Sequence, residues 1–245
     1  MRRQVVTVAR STLVLLALVS PSLRAQNPGL GEGRPFRALV VSAGAASLSV
    51  APLNAFLANS GFASVSRQGV SIGLNGYYAF GRALLGADLS RATIREAGLN
   101  NGRTDNAAAT QAVVTAGYAL LSTPRLTVYP VLGVGTGRFT VDLRDNAGGT
   151  AASNPQPTFA EAVQRPGTAT TLTGNHLVFN VGIGQDYFLV RRSATESGIV
   201  VGFRAGLAVA PNRTTWSSAG RTVIAGPDAS AGGPFLRIVV GIGTR

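Results

Sequence analysis

The sequence predicts an all-β fold, an eight-stranded antiparallel up-and-down transmembrane β-barrel, and three observations predict it. Eight stretches alternate apolar with small or polar residues, the two-residue period of a strand whose faces meet different surroundings. The connections between them are alternately long and very short, as in a barrel that crosses a membrane with its turns on one side. The stretches also follow a segment with the three-part build of a secretory leader.

In that leader Arg2, Arg3 and Arg10 supply the charged start, 13–19 the apolar core and Leu23-Arg24-Ala25 the small-residue exit. The expected division is a signal peptide over 1–25 and one barrel domain over 26–245, beginning at Gln26 after cleavage. The apolar core is far shorter than the ~20 residues of a bilayer-spanning helix. The chain has no cysteine, which excludes disulfides, thiolate metal sites, cysteine nucleophiles and a lipoprotein anchor. Every basic residue is arginine. Removing the four leader arginines from the 22 leaves 18 against ten acids, about +8 for the exported part. Behind an export signal, that charge points to anionic lipid head groups as partners and away from nucleic acid.

The strands follow in order. The first is expected over 36–50, after a Gly/Pro-rich lead. The second, 69–80, sets Val70, Ile72, Leu74, Tyr78 and Phe80 on one face against Ser71, Gly73 and Asn75. The third spans 83–94, the fourth 109–121 and the fifth 126–141. The sixth alternates most cleanly: Leu177, Phe179, Val181, Ile183, Tyr187 and Leu189 oppose His176, Asn180, Gly182, Gly184 and Asp186. The seventh, 198–210, sets Ile199, Val201, Phe203, Leu207 and Val209 against Gly202, Arg204 and Gly206. The eighth, 234–244, sets Leu236, Ile238, Val240 and Ile242 against Arg237, Gly241 and Gly243.

Short turns are expected at Gly81-Arg82, 122–125 and 191–197, and long loops at 51–68, 95–108, 142–174 and 211–233. With both termini in the periplasm, the short turns face the periplasm and the long loops face outward. The loops carry the Gly, Pro, Asn, Thr and Ser of irregular segments; 53–60 suits a short helix, and 142–174 is expected to be mobile. All five tyrosines (Tyr77, Tyr78, Tyr118, Tyr129 and Tyr187) fall at strand ends beside the short turns. They are expected to form a periplasmic aromatic belt at the membrane–water interface.

On this pattern of strands, turns and tyrosines the chain resembles the eight-stranded outer-membrane β-barrels of the outer-membrane protein A and W kind, over nearly its whole exported length. The resemblance implies an outer-membrane location, assembly by the barrel-assembly machinery and a monomer. Such barrels usually end in an aromatic residue, whereas this chain ends Ile242-Gly243-Thr244-Arg245.

An eight-stranded barrel is just wide enough for side chains to fill it. With the apolar faces outward, Asp88, Asp186, Arg204 and Arg237 turn inward at similar depth, and a neutral charge cluster is expected to close the lumen. The run Gly133-Val134-Gly135-Thr136-Gly137 lacks the spacing, the following helix and the acid of a dinucleotide site. His176, the single histidine, is expected on the outward rim; a lone histidine makes no zinc site. Trp216, the single tryptophan, lies in the last long loop, either folded back on the rim or in contact with a surface partner.

The function expected from these residues is structural or surface-interacting, without enzymatic chemistry, cofactor or metal. Three alternatives stay open: a narrow porin or transporter of small or hydrophobic molecules, a lipid A-modifying acyltransferase or deacylase using His176, and a soluble periplasmic barrel of lipocalin type. The continuous outward apolar face counts against the last.

Overall fold

The structure is a computed structural model that describes residues 36–100, 103–123, 125–145, 156–167, 169–189, 197–211 and 213–244, without the side chains of 95–100, 103 and 104. The leader 1–25, Arg191, Arg192 and Arg245 lie outside the described residues.

Strands β1 (Phe36–Ser47), β2 (Gln68–Phe80), β3 (Ala83–Asn100) and β4 (Arg103–Tyr118) follow one another as antiparallel neighbours. β5 (Leu121–Ser122) continues β4 after a break, and both pair with β6 (Leu126–Asp145). β7 (Ala169–Phe188), β8 (Ser197–Val209) and β11 (Gly233–Thr244) complete the circuit, with β11 returning to β1. The β6–β7 ladder closes an eight-stranded barrel, antiparallel throughout. β9 (Thr215–Ser218) and β10 (Arg221–Val223) form a small hairpin on the upper part of β7. The Gly81-Arg82 turn joins β2 to β3 in two residues, with Gly81 at φ +62, a conformation that favours glycine.

The barrel wall has two zones, and they differ in which face is apolar. Near the short turns the apolar side chains point out: Leu132, Val134, Ile72, Ile183, Ile238 and Ile242 are all exposed. On β6 the outward positions are apolar from Leu126 to Val134, nine residues, close to the about 9–11 that a tilted strand needs to cross a bilayer. Above that level the sign reverses. On β6, Arg138, Asp142 and Arg144 face out, while Phe139, Val141 and Leu143 are buried inside.

This reversal explains where the expected strand ends differ from the observed ones. Residues 95–100 and 103–108 of the segment read as a loop continue β3 and β4, which after a shift of register past Ile94 pair again up to Asn100 and Arg103. The β6–β7 ladder likewise runs on to Arg144 and Ala169, taking in both ends of the expected 142–174 loop. On β6 and β7 the two-residue period continues there with Arg138, Asp142, Arg144 and Thr171 outside and Phe139, Val141, Leu143 and Leu172 inside, so it no longer resembles a lipid-facing strand.

The remaining long connections close the upper end. Helix α1 (Ala51–Asn59) has proline in its first turn, where the missing N–H costs no hydrogen bond. Helix α2 (Phe159–Gln164) begins with a capping box. The Thr158 hydroxyl accepts from the Glu161 N–H (3.2 Å), and Glu161 Oε2 accepts from the Thr158 N–H (2.8 Å). Hydrogen bonding to the Thr158 backbone N–H, and next to the Thr158 side chain, holds the Glu161 carboxyl below the usual range. Leu53, Leu57 and Phe62 from the α1 segment meet Phe139, Leu143, Phe159, Val163 and Trp216 in one apolar cluster that fills the barrel mouth. The described loop segments thus form a packed cap; 146–155 lie outside the described residues.

Candidate functional site: a polar chamber in the lumen

Alternation fixes what enters the lumen. On β7 the even-numbered residues turn inward and bring Asn180 and Asp186; on β8 they bring Arg204. On β2, β3 and β6 the inward set includes Asn75 and Tyr77, Asp88, and Tyr129. Some inward positions are glycine because a neighbour takes the space: a Cβ at Gly184 would stand 2.6 Å from the Tyr129 ring.

Asp186 is the centre of the chamber and is fully buried. Arg204 forks onto it, Nη1 to Oδ1 at 2.8 Å and Nη2 to Oδ2 at 3.2 Å. The Tyr129 hydroxyl donates to Oδ2 at 2.9 Å, and the Tyr77 hydroxyl donates to the same oxygen. The Arg204 guanidinium also lies over both rings, 5.2 Å from the Tyr129 centroid and 5.7 Å from that of Tyr77. One carboxylate therefore receives four donors, and the charge it carries is balanced within a single shell.

The second pair is looser. Arg237 Nη1 bridges both oxygens of Asp88 at 3.2 Å each, and its guanidinium lies 4.9 Å over the Phe235 ring. The Arg237 Nε has no partner, and the Asp88 side chain remains 13% exposed, toward the cavity it lines. The four charges expected to form one cluster thus stand as two discrete pairs, Asp186 with Arg204 and Asp88 with Arg237. Between them lies a cavity of about 60 Å³, edged by Asn75, Tyr77, Asp88, Tyr129, Asn180 and Arg204. That is space for roughly four waters at 15 Å³ each. Its lining can hydrate and hold a small polar species, but the Asp186 carboxylate is not among the lining residues and is already engaged by four donors.

The aromatic belt is smaller than expected. Tyr78, Tyr118 and Tyr187 face outward near the short turns, but Tyr77 and Tyr129 point into the lumen as ligands of Asp186. The reason is strand parity. Tyr77 shares its face with Ser71 and Asn75, and Tyr129 shares its face with Gly133 and Gly135, so neither lies on the lipid-facing set. The parity is legible; position along the strand alone misplaces them. Asn75, set on the inward face by the alternation of the second strand, donates its amide to Ser42 Oγ at 3.3 Å; Gln111 is an inward polar group that the sequence reading did not name.

Apolar layers lie on both sides of the chamber along the barrel axis. Toward the short turns lie Phe36, Ala79, Leu84, Phe188 and Val200, with Phe36 edge-on to Phe188 at 4.9 Å. Toward the loops lie Val113, Val178 and Ala208, and above them the cap. Trp216 belongs to that cap and is no surface contact. It is 1% exposed, its Nε1 donates to the Pro227 carbonyl at 2.7 Å, and its ring packs on Phe159 and Phe139. The mixed composition of its own loop gives no sign of these neighbours, which come from β6 and α2.

His176 is also inside, 4% exposed, and not on the outer rim. Its Nε2 accepts from the Ala231 N–H at 3.3 Å, and its Nδ1, which then carries the proton, has no partner. Among the described residues no hydroxyl and no carboxylate is bonded to the ring, so these residues do not assemble the nucleophile–base–orienter chain of an acyl transferase around it. Gly137 makes room for it: a Cβ there would stand 2.2 Å from Nε2.

No family model and no curated protein matches this chain. Solved structures do. The chain is similar to Neisserial surface protein A, at 12% identity and a TM-score of 0.41, over 85% of this chain and 96% of that one. It is similar to Ail, the attachment invasion locus protein of Yersinia pestis, at 6% and 0.47, over 86% and 98%. It is also similar to a major outer membrane protein from Thermus thermophilus, at 14% and 0.43, over 85% and 98%. At such identities the likeness is one of fold alone.

Proposed function

We propose that this protein is an outer-membrane barrel of the Gram-negative type with a structural or surface-presenting role, exported by its 1–25 leader, with its termini in the periplasm and its lumen closed. The observation that carries the reading is the polar chamber lying between two apolar layers, inside a wall whose lower zone is apolar on the outside. A wall of that kind is stable only against lipid.

Arginines bracket the apolar zone and support the orientation. Arg37, Arg82 and Arg125 are exposed at the short-turn end. Arg91 and Arg138 face out directly above the zone, on one rung either side of Thr110. Both sets suit the phosphates of lipid head groups, which guanidinium binds bidentately. The packed cap presents a rigid outer surface, as a surface-interaction role requires.

The test is electrical. The purified barrel, inserted into a planar lipid bilayer at neutral pH, is expected to give no conductance steps above the bare membrane. Reproducible steps that scale with protein insertion would contradict the closed lumen and support a narrow transporter of small solutes instead.

A further inference from the structure

The segment 227–231 dips into the barrel mouth and is held from every side. Ser230 exchanges two backbone bonds with Ser49, at 3.0 and 3.1 Å. The Pro227 carbonyl accepts from Trp216, and the Ala229 carbonyl accepts from the Thr214 hydroxyl at 2.7 Å. At its deepest point, Ala231, two side chains of the barrel wall take the backbone: Gln111 Nε2 donates to the carbonyl at 2.9 Å, and His176 Nε2 accepts from the N–H at 3.3 Å. Beyond these bonds Gln111 Oε1 and His176 Nδ1 are buried without partners. Neither side chain is therefore built into the wall; both are committed to the segment above.

We propose that 227–231 is a proton-releasable plug over the polar chamber, latched by His176 and Gln111. The Ala231 N–H and a solvent proton compete for the same Nε2 lone pair. A proton there turns the acceptor into a donor, sets two N–H groups against each other and leaves a buried cation without a counter-ion, a cost relieved when the segment lifts and water enters.

Among the described residues no acidic group is bonded to that ring. Gly137 of β6 and Val178 of β7, beside the ring, carry no charge. On the packed strands, Asp88 of β3 is bound to Arg237, and Asp186 of β7 is bound to Arg204 of β8. Asp105 of β4 and Asp145 of β6 face inward nearer the cap, and Asp228 of the segment is exposed and accepts from the Thr214 N–H. None of them is bonded to the imidazole.

The chain supplies its own reporter, since its one tryptophan is bonded to Pro227 and its one histidine is the latch. Tryptophan emission and acrylamide quenching of the purified barrel in lipid vesicles would be followed from about pH 8 to about pH 3, a span that includes the histidine range. The wild type is expected to show a red shift and a several-fold rise in quenching on acidification. His176→Gln, whose amide oxygen accepts the same N–H and does not titrate, is expected to lack that step. Gln111→Leu, with one of two pins gone, is expected to move it to higher pH. Superimposable titrations of the wild type and His176→Gln would overturn the proposal, as would a wild-type Trp216 that stays shielded throughout. Should His176→Gln fail to fold, an unshifted step in Gln111→Leu overturns it alone.

Discussion

Asp186→Ala is expected to lower the unfolding free energy of the barrel by about 3–5 kcal/mol, the range for breaking a buried ion pair from one side. The loss comes less from the attraction removed than from what stays behind. Arg204, forked onto both carboxylate oxygens, keeps its charge in a side chain that is 10% exposed. The Tyr77 and Tyr129 hydroxyls lose their acceptor at the same time. Each orphaned donor costs about 1–3 kcal/mol where water does not reach it, and the adjoining cavity lets a few waters soften that penalty. Removing both charges tests the cause. Asp186→Leu with Arg204→Leu should recover the part owed to the stranded charge, because an ion pair and an apolar pair of similar bulk are close in energy, and should leave the part owed to the two tyrosine hydroxyls. Urea titrations in lipid vesicles would measure the three proteins. A single-variant loss below about 1 kcal/mol would mean that the pair is hydrated.

Trp216→Ala is expected to cost about 3–5 kcal/mol, as large-to-small changes do in a core that cannot collapse. Its ring is wedged between Phe159 of α2 and Phe139 of β6, with its N–H tied to Pro227. The void would therefore sit where three chain segments meet, and none can move without losing its other contacts. The damage should be local to the cap: trypsin should cleave at Arg213 and Arg221 far faster in the variant, while the lower barrel, held by its closed ladder, stays protected. Equal rates at both arginines in the two proteins would show that the cap does not depend on this ring.

The strands near the short turns were legible because lipid on one side and a narrow lumen on the other impose opposite demands on alternate residues. Leu177, Phe179, Val181 and Ile183 against Asn180 and Asp186 leave only one assignment. The inward placement of Arg204 and Arg237 followed from the same parity, although which acid each would take depended on the stagger between distant strands. Phe139, Val141 and Leu143 obeyed the same period, yet water had replaced lipid outside, so the apolar face turned inward and the segment read as a loop. The cap was the least legible part. Trp216, Phe159 and Leu53 come from three separate connections, and no local pattern announces that they meet.

That change of side along one strand is the centre of this account, and the absence of cysteine makes it directly measurable. Single cysteines at the outward β6 positions 128, 132, 134, 138, 142 and 144, each carrying a nitroxide, would be read in lipid vesicles with oxygen and with a water-soluble nickel chelate as relaxing agents. Positions 128, 132 and 134 should be relaxed by oxygen and shielded from the chelate; 138, 142 and 144 should be accessible to the chelate. Chelate access at 132 and 134 equal to that at 142 would contradict the membrane-spanning zone and the orientation built on it.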